Sequence, residues 1–151
     1  MMTAGAFCNR RTVIAKPAET LREISQRMRD EHVGSVVVVE QRTEHGVTPI
    51  GLLTDRDIVT RAVAESGRDA ASTLVAEAMS PRLVDAREDE GLEDVLQRMR
   101  SFGVRRMPVV DDAEILQGII TLDDILEFLQ EQVSEVGTLL ARERMHEGKP
   151  H

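Results

Sequence analysis

The chain has 151 residues, a net charge of −8, 41% apolar residues and 2% aromatics. This length suits one compact domain or two small interlocked ones, and the acidic balance argues against nucleic acid as a partner. No apolar run approaches a membrane span, Arg10 and Arg11 follow rather than precede the only weakly apolar stretch of the start, and a single cysteine excludes an internal disulfide framework. A cytoplasmic location is the expectation.

Residues 1–9 are small and mixed and are expected to be frayed at the end, with Phe7 and Cys8 buried where Ala78 and Met79 stand later. Thr12 to Ala15 reads as a short strand stopped by Pro17. Thr20 to Glu31 is a predicted helix with Thr20 and Glu23 as its capping box. Leu21, Ile24 and Met28 form its apolar face at helical spacing. Ser35 to Glu40 holds four consecutive valines and reads as a strand buried on both faces. A loop over Gln41 to Pro49 leads to its hairpin partner, Gly51 to Thr54, and a helix follows over Asp55 to Glu65, ended near Gly67. A short helix runs from Ser72 or Thr73 to Met79.

The same order then recurs. Leu83 to Ala86 is a predicted strand. Leu92, Val95, Leu96, Met99 and Phe102 make a helix stripe. Arg106 to Asp111 is a strand, Asp112-Ala113 a tight connection, and Ile115 to Thr121 the return strand. A helix starts at Leu122 with apolar positions Ile125, Leu126, Leu129, Val133, Val136 and Leu140, longer by several turns than its counterpart and weakened at Gly137. Glu147 to His151 is expected to be disordered.

The recurrence is an internal repeat, the strongest organising signal in the chain. A shift of 71 lays residues 21–29 on 92–100, Val33 on Val104 and Val38-Val39 on Val109-Val110. Two heptapeptides, G-L-L-T-D-R-D at 51–57 and G-I-I-T-L-D-D at 118–124, align at a shift of 67, so the first copy carries four extra residues. Even the leaders match, residues 6–9 on 77–80. In each heptapeptide the glycine (Gly51, Gly118) allows close backbone approach or an unusual φ. Thr54 and Thr121 stand at helix N-caps, where a hydroxyl and free N–H groups suit a phosphate. Asp57 and Asp124 follow in the first turn, where a carboxylate can take a ribose diol. Thr-x-x-Asp is also a plain capping box, and the two readings stand side by side.

These repeats resemble CBS repeats, the family named for cystathionine β-synthase, in the G-h-h-T-x-x-D signature, the helix ending in Met before a valine-rich strand, and V-A-E-A-M-S-P at 75–81. The resemblance implies an α/β fold of two β-α-β-β-α repeats packed as a pseudo-twofold pair, here with an extended C-terminal helix. The expected divisions are repeat 1 over 5–66, a linker over 67–75, repeat 2 over 76–132 and an extension and tail over 133–151. It further implies two clefts between the repeats that bind adenosine-containing ligands: AMP, ADP, ATP or S-adenosylmethionine as regulatory ligands, with no obligate cofactor. By the same resemblance the adenine walls are Val13, Ile14, Val33 and Val36 for one cleft, and Val84, Val104 and Met107 for the other. A homodimer with Leu126, Leu129 and Val133 near the contact is expected, and a protein target that reads the signal.

No P-loop, G-x-G-x-x-G, G-x-S-x-G elbow or zinc-spaced Cys/His set occurs. With no nucleophile or metal set to name, the expectation is a binding module and not an enzyme. Arg56, Arg105 and Arg106 border the clefts by resemblance, and arginine forks suit phosphate oxygens. Strand alternation puts Arg105 and Arg106 on opposite faces, and Arg106 is favoured for the cleft. The first repeat has Gly34 and Ser35 at those positions. The clefts are therefore unequal, and the second, with Thr121 and Asp124, is expected to hold the more highly charged ligand. The alternative function is a protein-interaction module of the same fold without an obligate small-molecule ligand.

Overall fold

The computed structural model describes residues 2–65, 67–81 and 84–148. Leu83, the first residue of one predicted strand, and residues 149–151 of the predicted disordered tail lie outside them. The described elements form two like units. In the first, β1 (Ile14–Ala15) runs parallel to β2 (Ser35–Thr43), which pairs antiparallel with β3 (Gly46–Thr54). In the second, β4 (Ala86–Arg87), β5 (Arg106–Val110) and β6 (Leu116–Thr121) repeat that arrangement.

Each sheet is covered by an amphipathic helix. In α2 (Leu21–Glu31) the Thr20 hydroxyl accepts the Glu23 N–H at 3.2 Å, Leu21, Ile24 and Met28 are buried, and the chain leaves through His32 in the left-handed region. Its counterpart α5 (Leu92–Phe102) buries Val95 and Met99 and ends at Gly103, φ 65°. Phe102, expected in the buried stripe, is exposed because it is the last helical residue before that turn. The four valines of β2 are all buried: Val36 and Val38 join one core with Leu21, Ile24 and Leu53, and Val37 and Val39 are sealed on the opposite face.

Three predicted elements differ. The four extra residues of the first unit do not make a long loop over Gln41 to Pro49; they lengthen both hairpin strands, which pair as far as Thr43 and Gly46. The hairpin tip reaches the other unit, since a Cβ on Gly46 would stand 2.6 Å from Cγ2 of the buried Ile115. Second, the helix after Thr54 is α-helical only as α3 (Asp55–Ile58) and continues as a π-helical turn over Val59–Val63. The Thr60 hydroxyl donates to the Arg56 carbonyl at 2.8 Å, and the Ala64 N–H donates five residues back to the Val59 carbonyl. Third, the leader, for which no element is predicted, is helical. Residues 4–7 form a short helix, α1 (Ala4–Phe7), capped by Thr3.

That leader decides the architecture, because the units exchange leaders. The Ala4 and Gly5 N–H groups donate to the Glu90 and Glu88 carbonyls, and Asn9 and Ile119 exchange backbone hydrogen bonds of 2.9 and 3.0 Å. Ala4 and Cys8 are buried in the core of the second unit, and Phe7 meets Phe128 edge-on at 5.4 Å. Conversely, α4 (Val75–Ala78) buries Val75 and Ala78 in the first core, and Ser80 exchanges hydrogen bonds with Leu52. The bridges Asn9–Ile119 and Ser80–Leu52 are the same contact in the two copies, as are Thr3–Gly91 and Leu74–Thr20. This is the pseudo-twofold.

The exchange also explains the glycine that opens each heptapeptide. A Cβ on Gly118 would lie 2.5 Å from the Asn9 carbonyl oxygen and 2.7 Å from Cys8 Sγ. On Gly51 it would lie 2.6 Å from the Ser80 carbonyl oxygen. Close approach, and not φ, is the reason for both, since neither has a positive φ. Finally, α6 (Leu122–Glu147) buries only Ile125 and exposes Leu126, Leu129, Val133, Val136 and Leu140. Among the described residues no helix is long and apolar enough to cross a membrane.

Candidate functional site: two unequal clefts

Thr54 ends β3 and caps α3, and Thr121 ends β6 and caps α6. At the first motif the capping box is complete: the Asp57 N–H donates to Thr54 Oγ1 at 3.1 Å and the Thr54 N–H donates to Asp57 Oδ2 at 2.9 Å. Asp57 Oδ1 faces Arg61 Nε at 3.9 Å, while the Arg61 guanidinium also donates to the Ala78 and Met79 carbonyls. At the second motif only half the box forms. The Asp124 N–H donates to Thr121 Oγ1 at 3.1 Å, but the Asp124 carboxylate is exposed and has no hydrogen-bond or ion-pair partner among the described residues.

A cavity of about 360 Å³ brings Thr54, Asp55, Arg56 and Asp57 of the first unit together with Val104, Arg105 and Arg106 of the second, and with Leu52 and Ser80. Its surface is mostly apolar with a rim of three arginines. Arg106 is half-buried, and its side chain has no hydrogen-bond or ion-pair partner among the described residues. Arg105 is spent on Asp123 at 3.1 Å. Both arginines line the same cavity; the expected alternation fails because β5 begins only at Arg106. Arg106 sits opposite Thr121 in the sheet, yet it lines the cavity of Thr54 and Asp57. The basic rim expected for the second motif therefore stands at the first, because β5 meets the heptapeptide of the other repeat.

A second cavity, about 490 Å³, is lined by Asn9, Arg10, Arg11, Thr12, Val13, Glu31 and Val33. Val33 and Val104 are repeat equivalents, as are Asn9 and Ser80, so the second cavity overlaps the pseudo-twofold counterpart of the first at these two positions. Thr121 and Asp124 are not among the residues lining it. Arg10 is tied to the Gly5 carbonyl at 2.9 Å and to Gln117, whereas Arg11 has no side-chain partner among the described residues. Sequence reasoning had passed over both arginines. The available signal was the leader match itself, which puts residues 9–11 where 80–82 stand.

Other wall candidates divide. Val13 and Val104 line the cavities. Val36 and Met107, a repeat pair, are 1% and 0% exposed and belong to the cores, because the first residue of β2 after Ser35, like that of β5 after Arg106, turns under the covering helix. Ile14 is in β1 opposite Val37, and Val84 packs half-buried against the second core; neither lines the two cavities. A further cavity of about 510 Å³ lies along the outer face of α5, away from both motifs. Cys8 is held protonated: burial pushes its thiol up, against the smaller opposing effect of Arg10.

Comparison with known proteins agrees with this geometry. The family model described as CBS domain matches twice, over residues 4–64 and 75–131. A CBS domain-containing protein of Bacillus subtilis, YhcV, is 36% identical over 132 residues, covering 86% of this chain and 89% of that protein. An uncharacterized protein of Methanopyrus kandleri is 34% identical over 83% of this chain, which spans 62% of its length. The cytosolic domain of the Mg2+ channel MgtE, solved in complex with ATP, superposes with a TM-score of 0.69 at 29% identity, covering 83% of this chain and 48% of that one. MgtE of Thermus thermophilus is also 36% identical over 56% of this chain. Two family matches on two like units with exchanged leaders make this chain a member of the CBS domain family, a tandem CBS pair.

Proposed function

We propose that the chain is a regulatory module that senses an adenine nucleotide or adenosyl ligand in the clefts between its repeats. The observation that carries this reading is the 360 Å³ cleft, in which aliphatic Leu52 and Val104, the Thr54–Asp57 pair and an unpartnered, half-buried Arg106 converge from both repeats. An apolar wall for a base, a carboxylate edge for a ribose and a guanidinium fork for phosphate oxygens match the three parts of a nucleotide. The ATP complex of the MgtE domain supports the ligand class. In this reading the repeats span 5–66 and 76–132, joined by 67–75. The protein is cytoplasmic, non-catalytic and homodimeric, and a bound ligand biases the conformation that a target protein reads.

Thermal unfolding with AMP, ADP, ATP, NAD and S-adenosylmethionine tests it. A ligand at a hundred times its Kd adds about 2.7 kcal/mol of stability. At about 2–4 °C per kcal/mol for a chain of this size, Tm rises by roughly 5–11 °C. No rise with any of the five at millimolar concentration refutes the sensing reading. It leaves the interaction-module reading, which the exposed apolar row of α6 favours.

A further inference from the structure

The row on α6 has a spacing that says how it is covered. Leu126, Leu129, Val133, Val136 and Leu140 follow one another at intervals of three, four, three and four, and are 44–72% exposed. That is the seam of a two-helix coiled coil. The helix has 26 residues, about 39 Å, and Ile125 is its only buried residue. From Leu129 on, every described residue of the helix is exposed, whereas most helical stability in proteins comes from packing an apolar face.

We infer that the seam is closed by α6 of a second copy, running antiparallel. The charge distribution selects this occupant and its direction. From Leu122 to Val136 the helix carries Asp123, Asp124, Glu127, Glu131 and Glu135 and no base, whereas beyond Gly137 the charges of Arg142 and Arg144 balance those of Glu143 and Glu147. A parallel pair would set the acidic half on the acidic half. The antiparallel pair that layers Val133 on Val136 of its copy also layers Leu129 on Leu140. It brings Asp123 beside Arg144 at the flank of the seam, twice by symmetry, and sets Leu126 opposite Glu143 at the end of the seam. Small residues at 134, 137 and 141 keep bulk off the helix in this stretch. The clasp rests on the homodimer reading and is independent of ligand binding in the clefts.

Light scattering of the full chain at micromolar concentration should give twice the chain mass. The double variant Val133→Asp, Val136→Asp should give the chain mass, with the cores untouched because both residues are exposed. Direction is tested by oxidation. Leu129→Cys and Leu140→Cys should each fail to cross-link alone, since antiparallel partners place like residues roughly 16 Å apart along the axis, beyond disulfide reach. A mixture of the two after subunit exchange should form the linked dimer. A monomeric wild type overturns the clasp and the homodimer together. A double variant that stays dimeric overturns the clasp alone. Cross-linking of either single variant by itself overturns the antiparallel direction.

Discussion

Replacing the motif aspartates by alanine should affect the ligand-free protein unequally. Asp57 closes a reciprocal capping box: its Oδ2 accepts the Thr54 N–H at 2.9 Å, and its side chain is 20% exposed. A hydrogen bond to a charged group contributes about 1.5–3 kcal/mol; partial solvation of this one and the distant Arg61 place it at the lower end, about 1–2 kcal/mol. The Asp124 carboxylate accepts no hydrogen bond among the described residues, so it has only its place in the first turn of α6, about 0.3–1 kcal/mol. At about 2–4 °C per kcal/mol, Asp57→Ala should lower Tm by roughly 2–8 °C and Asp124→Ala by roughly 0.6–4 °C. Calorimetry or circular dichroism without ligand reads both. A Tm loss for Asp124→Ala equal to or larger than that for Asp57→Ala would refute the assignment of Asp57 as a cap and of Asp124 as a free carboxylate.

Other expectations follow from the same contacts. Gly118→Ala must push the Asn9 carbonyl and Cys8 away from 2.5 and 2.7 Å; overpacking of this kind costs about 1–3 kcal/mol, and a denaturant midpoint equal to wild type would show that the leader is not seated there. Arg106→Ala should weaken AMP roughly 10- to 100-fold, the equivalent of one charged hydrogen bond, and leave adenosine nearly unchanged in calorimetric titration; equal losses would make the arginine structural. Glu19 is held below the usual carboxylate range chiefly by its hydrogen bond from Arg27, 2.6 Å away. Its folded-state affinity for protons is lowered, so its contribution is present above the unfolded value of about 4.3 and fades as pH falls through the lower folded value. Melting curves should show Glu19→Gln losing less Tm than wild type between pH 6 and pH 3, and parallel losses would contradict the pairing.

Much of the fold was legible locally. The period of Leu21, Ile24 and Met28 against the run Val36 to Val39 separates helix from strand, and the shift of 71 shows two copies before any contact is known. Thr20, Thr54 and Thr121 were readable as caps because a cap needs only the three residues that follow it. For the site, the chain showed which residue types the clefts could use, and Thr54, Asp57, Arg56, Arg106, Val13 and Val104 do line cavities.

Only the tertiary structure decided the partnerships. Thr3 to Asn9 looks like a loose end because its hydrogen-bond partners, Glu88, Glu90 and Ile119, lie at least eighty residues away. Arg106 was assigned to the nearer motif, yet packing of one unit on the other carries it to Thr54 and Asp57. The valine of the Ser-Val start and the methionine of the Arg-Met start, Val36 and Met107, fit a cleft wall or a core equally well by type, and burial under α2 and α5 placed them in the cores. Local pattern reports what a residue does within its own turn or strand. Which surfaces meet is set by how two finished units bury their remaining apolar faces, and no short stretch of sequence contains that information.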